Sequence, residues 1–563
     1  MPFKRDLRNV SLYAVLLTVA LAVGWLLPNH YPPWNTFHSN AWIAGVLCVI
    51  ALWRTVAASV RLSVLPLVVA GVALVPWLQY AAGLLPLADS ALVGSLYMLG
   101  LAAALAVGEQ WSRQRPDEPA SLVLSAAALA ALVSVALQIY QWLGFAQAPE
   151  LTDIWIFPST GGRPYANLGQ PNQLASLLLW GLLGIALAWH KRWLRGWLAT
   201  GLAAVILFGV ALTESRTALL TLTLCAMGLA ARRPAFIERR MALIALGLYL
   251  GYVTCLFGLE PLGRLAGKPD ASLTVFHRSA GELRWLLWDM ALDAASRQPW
   301  FGFGWGQTNE AYLLVHPWHP VPPQFYVEQS HNLLLDLVLW AGWPLASVLA
   351  VAGAWWFWRV VRSVRSLAQL ITTAALAVML VHAMLELPLH HGYFLWPFGL
   401  LAGAASAKLE LKPLLQVPRR IGAAVIVALA SVLVIVVHDY LRVESAFSEL
   451  RFQLQRIGTG HDETPPPTLL LAEWSAFIEM SRAVPHAGMS MEEIDHWQQL
   501  LLYNTSPLAF RKVIAALMLN GHVEQARFWA DRACAVMPPP ACRNQLREWE
   551  GREQPPASAA GAG

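Results

Sequence analysis

Residues 10–27 read "VSLYAVLLTVALAVGWLL", eighteen consecutive positions without a charged side chain. Wound as an α-helix at about 1.5 Å per residue, such a run crosses a hydrocarbon layer of about 30 Å. Helix is the form a lone apolar segment must take there, because no water remains to satisfy its peptide groups. No small-residue cleavage site follows, only "PNHYPPW" (28–34), so the run reads as a retained span and not a signal peptide. Comparable stretches recur at 41–58, 62–79, 91–108, 120–143, 171–189, 196–213, 216–231, 241–258, 332–357, 367–386, 393–407 and 421–438. The expectation is an all-α polytopic membrane protein with about thirteen crossings.

Composition agrees. Of 563 residues, 57% are hydrophobic and 13% charged, with a mean hydropathy of +0.49, whereas soluble domains carry about 25% charge. The 27 tryptophans suit interfacial belts and aromatic-lined grooves. The net charge of +5 is no nucleic-acid signal, because the basic residues fall in short connections between spans. Cys48, Cys225 and Cys255 lie in apolar runs as inert thiols, while Cys534 and Cys542 lie in a hydrophilic tail and can pair in an oxidising compartment.

One set of alternate connections reads "MPFKRDLR", "WRTVAASVR", "WSRQRPDEP", "HKRWLR", "RRPAFIERR", "WRVVRSVR" and "KLELKPLLQVPRR", which places it in the cytoplasm. The opposite short connections contain only two basic residues, Arg163 and Arg216. On a face so poor in positive charge, these two are expected to meet an anion rather than to decorate a loop. The longest outer segment, 259–331, adds Arg264, Lys268, Arg278, Arg284 and Arg297 and ends at His331. Within it, Leu283, Leu286, Leu287, Met290 and Ala291 recur at helical spacing, as in an amphipathic helix lying on the membrane surface. The glycine-rich "PWFGFGWGQ" (299–307) follows no strand and precedes no helix-opening Lys, so it is not a nucleotide-binding loop.

Thirteen crossings from an inside start put the tail outside. The tail's "SPLAFRKVIAALMLNGHVEQARFWADRACAVMP" (506–538) reads as helix, Gly-containing turn and helix, like one tetratricopeptide-type unit. "TGHDETPPPT" (459–468) reads as a linker and "REQPPASAAGAG" (552–563) as a disordered end. The expected division is residues 1–258 with nine spans, a 259–331 loop, residues 332–438 with four spans, and a 439–563 helical extension.

Titratable groups gather at one membrane level. "EQSHNLLLDLVLWAGWPL" (328–345) opens on Glu328 and puts His331 as the cap of the tenth span, with Asn332 beside it and Asp336 about a turn and a half deeper. In "HAMLELPLHHGYFLWPFGLL" (382–401), His382 and Glu386 stand four apart on one expected helix face, with His390, His391 and Tyr393 at the rim. The spacing does not match the HExxH zinc pattern, so no metal or other cofactor is expected. An interhelical hydrogen bond is an equal reading for His382 and Glu386. If the substrate carries a pyrophosphate, arginine forks offset its charge as it leaves, and one histidine removes the proton from an attacking hydroxyl.

The set "GGRPYANLGQPNQLA" (161–175), "LTESRTALL" (212–220), "RWLLWDMALDAASRQPWFGFGWG" (284–306), and the stretches from 328 and 382 resembles the O-antigen ligase superfamily, most closely its protein O-oligosaccharyltransferase branch of the PglL type. The resemblance implies a GT-C-type glycosyltransferase of the bacterial inner membrane with its active site facing the periplasm. Such an enzyme moves a preassembled oligosaccharide from undecaprenyl pyrophosphate to Ser or Thr of a periplasmic protein such as pilin. It implies His331 as the essential base, and Arg216 and Arg284 at the pyrophosphate, with Arg163 and Arg278 as further phosphate-facing candidates. Gln170, Asn172, Glu328, Asn332, His382, Glu386 and Tyr393 are implied as acceptor-side or supporting residues, with Gly392 standing where the family usually has an aromatic before Tyr393. The first outer loop has no carboxylate, which fits a metal-independent reaction.

Three alternatives carry different expectations. A ligase attaching O-antigen to lipid A core, or a polymerase of repeat units, would use the same chemistry, but the C-terminal extension and "QPN" (170–172) favour a protein acceptor. A lipid-linked sugar transporter should display internal repeats or broken helices near the midplane, and the sequence displays neither. A pilus-assembly scaffold would tolerate loss of the outer arginines.

Overall fold

The computed structural model describes residues 12–57, 59–145, 155–158, 162–231, 236–267, 280–319, 327–458, 460 and 463–536. It is helical throughout, apart from one antiparallel pair, Val60–Leu62 with Leu415–Val417. Eight helices among the described residues are long and apolar enough to cross a membrane, and shorter apolar helices lie at Leu12–Gly24, Gly196–Leu212, Arg216–Ala230 and Leu367–Ala383. The chain is a multi-pass membrane protein. The expected 62–79 span is two helices, Val64–Val72 and Val75–Ala81. The helix expected to stop at 438 runs from Arg419 to Leu454, because the sequence remains helix-forming after it ceases to be apolar.

Two compact units account for the chain. The first comprises residues 1–73, 96–279 and 350–434. At its centre the Glu118–Trp142 and Pro171–His190 helices pack closely along small residues: Ala126, Ala127, Ala130 and Ala131 are fully buried, and a side chain at Gly184 would strike the Leu124 carbonyl. Between helices in lipid, close backbone approach of this kind supplies the attraction that hydrophobicity cannot. Gly403, facing the Leu105 carbonyl, does the same for the Gly392–Ser406 helix.

The second unit comprises residues 74–95, 280–349 and 435–563. Its C-terminal part packs helices Ala472–Arg482, Met491–Tyr503, Pro507–Leu519 and Val523–Val536 around Trp497, Leu501, Phe510, Ile514 and Ala533. The helix-turn-helix expected at 506–538 is present through Val536: Ser506 caps the first helix by accepting from Ala509 N (3.2 Å), and Gly521 at φ 82° turns the chain. The buried Asp439 accepts from the backbone N–H groups of Leu469, Leu470 and Leu471 (2.6–3.2 Å), fastening the long helix to this bundle. Cys534 is disulfide-bonded; Cys542 and the expected disordered end lie outside the described residues.

The expectation of unbroken spans fails in this unit. The Leu333–Ser363 helix breaks at Gly342, whose φ of 76° and ψ of 167° are not helical. The "PWFGFGWG" segment (299–306) fills the break. Trp343 N donates to Pro299 O (2.8 Å) and Phe303 N to Leu339 O (2.7 Å), so carbonyl and amide groups released by the kink find partners. The fit needs glycine on both sides. A Cβ at Gly302 would lie 2.5 Å from Leu339 O, and one at Gly342 would strike the Trp300 carbonyl; both residues also have positive φ.

Gly342→Ala and Gly302→Ala are each expected to cost about 1–3 kcal/mol through overpacking and left-handed strain. Thermal unfolding of the detergent-purified protein should show a lowered midpoint for both, while Gly353→Ala, which meets open space, should leave it near the parent value.

Candidate functional site

In the first unit the helix Pro171–His190 organises the polar residues. Its start is fixed by Gln170, whose side chain accepts from Gln173 N (2.7 Å), and by Pro171, which needs no N–H partner at that position. The first turn then projects a row of polar groups. Asn172 receives a hydrogen bond from Arg163 Nη2 on its Oδ1 (3.0 Å) and donates through Nδ2 to Glu386 Oε1 (3.0 Å). Arg163 also donates from Nε to the Thr213 carbonyl, three residues before Arg216. Arg163, Asn172 and Glu386 are thus brought together, and the turn that leads into the Arg216–Ala231 helix is tied to them. That turn includes Glu214 at φ 46°.

The helix face assigned to His382 and Glu386 needs correction. The helix ends at Ala383, and Glu386 sits in the turn beyond it, its N–H donating to His382 O (2.8 Å). The two side chains still meet one element: His382 Nδ1 lies 2.6 Å from Ser176 Oγ, one helical turn from the Asn172 contacted by Glu386. Both are buried.

Gln173, which sequence reasoning did not single out, joins the rim. Its amide oxygen accepts from Tyr393 Oη, so its nitrogen donates to His391 Nε2 at 2.7 Å. Burial, and then the neighbouring His390, His382 and His30, push the His391 imidazole down to about 3, which keeps it neutral and able to accept that bond. Tyr393 is wholly buried, stacked on His391 at 5.2 Å, with its backbone N–H on Asn40 Oδ1 (3.0 Å). It holds the helix start in place. The signal for Gln173 was only a glutamine in an apolar run, with partners more than 200 residues away.

The second unit holds His331, Arg284, Asn332 and Glu328. His331 does not cap the helix as expected. Asn332 does, its Oδ1 accepting from Leu334 N (3.0 Å) and Leu335 N (3.2 Å), while His331 stands one residue outside in a left-handed conformation, φ 56°. A non-glycine residue held there costs free energy, and its surroundings enforce it. Ser330 Oγ donates to Asn332 O (2.8 Å), and Ser330 N donates to Asp336 Oδ1 (2.9 Å). Asp336, wholly buried, also faces Thr308 Oγ1 (3.4 Å), which accepts from Trp340 Nε1 (2.7 Å). On the other side Trp288 Nε1 donates to Ser330 O (3.1 Å).

That last bond joins the helix bearing Arg284 to the turn bearing His331. Arg284 and Trp288 are four apart on the Ala280–Arg297 helix, on one side of it, so the turn bearing His331 is tied to the helix side that carries Arg284. The helix is amphipathic as expected, but its apolar face packs on protein. Leu287, Met290, Ala291, Ala294 and Ala295 are buried, and Tyr312 Oη of the neighbouring Thr308–Val315 helix donates to Leu287 O (2.7 Å). Glu328 is exposed just before the turn. Arg278 lies outside the described residues.

Comparison with known proteins gives three family matches: "O-Antigen ligase" over residues 201–350, "Virulence factor membrane-bound polymerase, C-terminal" over 370–545, and "Protein glycosylation ligase" over 164–189. The chain is similar to the general O-oligosaccharyltransferase of Acinetobacter baylyi, 27% identical across 92% of this chain and 91% of that protein. It is also similar to the ComP-specific O-oligosaccharyltransferase of the same organism, 28% identical across 46% of each. The resemblance to the O-antigen ligase superfamily and its protein O-oligosaccharyltransferase branch therefore holds over nearly the whole chain.

Asp336→Ala should release the turn at 330–332, since it strands Ser330 N at a cost of about 1–3 kcal/mol. Hydrogen exchange read by mass spectrometry should rise across residues 327–335 in that variant. Asp336→Asn keeps an acceptor oxygen and should exchange nearly as the parent does; equal protection in the Ala variant would show that the carboxylate does not hold the turn.

Proposed function

We propose that this chain is a GT-C-type O-oligosaccharyltransferase of the bacterial inner membrane, with thirteen crossings. It would move a preassembled glycan from undecaprenyl pyrophosphate to Ser or Thr hydroxyls of periplasmic proteins such as pilin. The observation that carries the reading is the seat of His331: it stands just before an apolar helix, in a left-handed turn that Trp288 ties to the helix bearing Arg284. The similarity to two O-oligosaccharyltransferases supports the reaction class.

In this reading His331 takes the proton of the acceptor hydroxyl as its oxygen attacks the anomeric carbon. The new glycosidic C–O bond forms while the bond from that carbon to the pyrophosphate oxygen breaks, and the electron pair leaves with undecaprenyl pyrophosphate. Attack opposite the leaving group inverts the anomeric centre. Arg284 and Arg216 are assigned to the phosphates, with Arg163 and Arg278 in support, because a guanidinium fork matches phosphate oxygens and offsets the charge that grows on them. Asn172 and Glu386 hold Arg163 in place through the hydrogen bonds described above. No metal or organic cofactor is assigned a part. The C-terminal helices, read as a small tetratricopeptide-like module in the periplasm, are assigned to the acceptor protein.

The "O-Antigen ligase" and "Virulence factor membrane-bound polymerase" matches support a second reading, in which the same chemistry serves lipid A core or a growing polysaccharide. Mass spectrometry of periplasmic proteins and of lipopolysaccharide from a strain lacking this chain separates the two: glycan lost from protein supports the first, glycan lost only from lipopolysaccharide the second. His331→Ala should reduce transfer by roughly a hundredfold or more, as loss of a general base does, with the protein still in the membrane. Full activity in that variant would remove His331 as the base.

A further inference from the structure

Trp300 and Phe301 form the tip of the "PWFGFGWG" segment and are 70% and 69% exposed, although Phe303 and Trp305, two and four residues on, are buried. Large aromatic side chains left bare at adjacent positions of a tight turn need a partner. The hydrogen bonds of the segment say at what level that partner lies. Pro299 and Phe303 pair with Trp343 and Leu339 of the Leu333–Ser363 span, six to ten residues inside its start, which is about 9–15 Å along a helix axis. The apolar half of a bilayer is only about 15 Å deep.

A second helix meets the same segment. Gln79 lies in the Val75–Ala81 helix and is buried. Its amide nitrogen donates to Trp340 O (2.7 Å) and Phe301 O (3.3 Å), and its oxygen accepts from Trp305 N (2.9 Å). One glutamine so supplies three backbone groups that the helix break and the irregular segment would otherwise leave unsatisfied. Such provision is needed where water is missing, and is redundant in a loop bathed by it.

We propose that residues 299–303 form a re-entrant wedge, entering the apolar layer from the side that bears His331, with Trp300 and Phe301 inserted among the acyl chains of the bilayer and Gln79 as the anchor that makes the entry tolerable. The wedge sets the depth of the Ala280–Arg297 helix, because Pro299 follows that helix by two residues. It stands independently of the glycosyl-transfer reading, and its test measures no activity.

The test uses the full-length chain in lipid nanodiscs, with Cys48, Cys225 and Cys255 replaced by Ser so that an introduced thiol is the target. An environment-sensitive fluorophore is attached at Phe301→Cys, at Trp300→Cys, and at Val484→Cys in the C-terminal helical part, where the parent residue is 78% exposed. Lipids spin-labelled along their acyl chains should remove most emission from positions 300 and 301 and leave 484 unchanged; aqueous iodide should do the reverse. Iodide quenching at 300 and 301 equal to that at 484 overturns the wedge. Shielding of both from either quencher overturns it as well, since that result assigns the tip to a protein contact. Because Phe301 and Trp300 are exposed, the substitutions leave the core intact, and an elution profile matching the parent checks each variant. Gln79→Leu, which removes all three hydrogen bonds, should shift the label at 301 toward iodide access.

Discussion

A peptide group inside a membrane has no water to turn to, and every departure from regular helix must therefore be met by another part of the protein. The break at Gly342 shows what this demands. Opening the helix frees Leu339 O, Trp340 O and Trp343 N, and three separate groups arrive to take them: Phe303 N, the Gln79 amide and Pro299 O. None of these contacts is local, so the break exists only because residues 79, 299–303 and 339–343 fold together. A broken helix is also a feature of transporters, and its presence removes one sequence argument against that class. Here the freed groups are closed by protein, while similarity to two O-oligosaccharyltransferases bears on the reaction itself.

The same constraint orders the first unit. Gln173 stands between Tyr393 and His391 as Gln79 stands between loop and helix, satisfying donors and acceptors of two elements at once. A buried network of this kind is stabilising only when complete, which makes the neutral state of His391 part of the architecture: a protonated ring would confront the Gln173 amide donor with another donor. Asn172 plays the parallel part for Arg163 and Glu386, with Oδ1 and Nδ2 each assigned by what faces them.

What the sequence disclosed follows from which signals add over many residues. Apolar runs are such sums, and helices lie where those runs are. The last helix outruns its apolar run because hydropathy falls at His438 while helix propensity continues through "DYLRVESAFSEL" (439–450). Gly342 is a single residue whose backbone angle no average reports, though Pro344 two positions later was a visible hint. The candidate site residues are legible as types, since arginines stand out among short connections without them. Their partners were not: Glu386 was matched to His382 by spacing, but helix termination at Ala383 sends its carboxylate to Asn172 instead. The sequence points Arg163 to an anion but does not show that it also donates to Thr213 O and Asn172 Oδ1.

The turn at His331 bears on how an anion is held. A helix start usually offers bare N–H groups and a positive dipole end to a phosphate. Here Asn332 Oδ1 already accepts from Leu334 and Leu335, and the Asp336 carboxylate, itself favoured by the dipole, takes Ser330 N. The N–H groups of Ser330, Asn332, Leu334 and Leu335 are engaged in shaping the turn. On the proposed reading, a pyrophosphate brought to this turn would rely on side-chain cations such as Arg284, which lies on the helix that Trp288 ties to Ser330. On the same reading, anion binding would fall to side chains rather than to the backbone beside His331, which suits a base that would receive a proton while negative charge builds up on the leaving group.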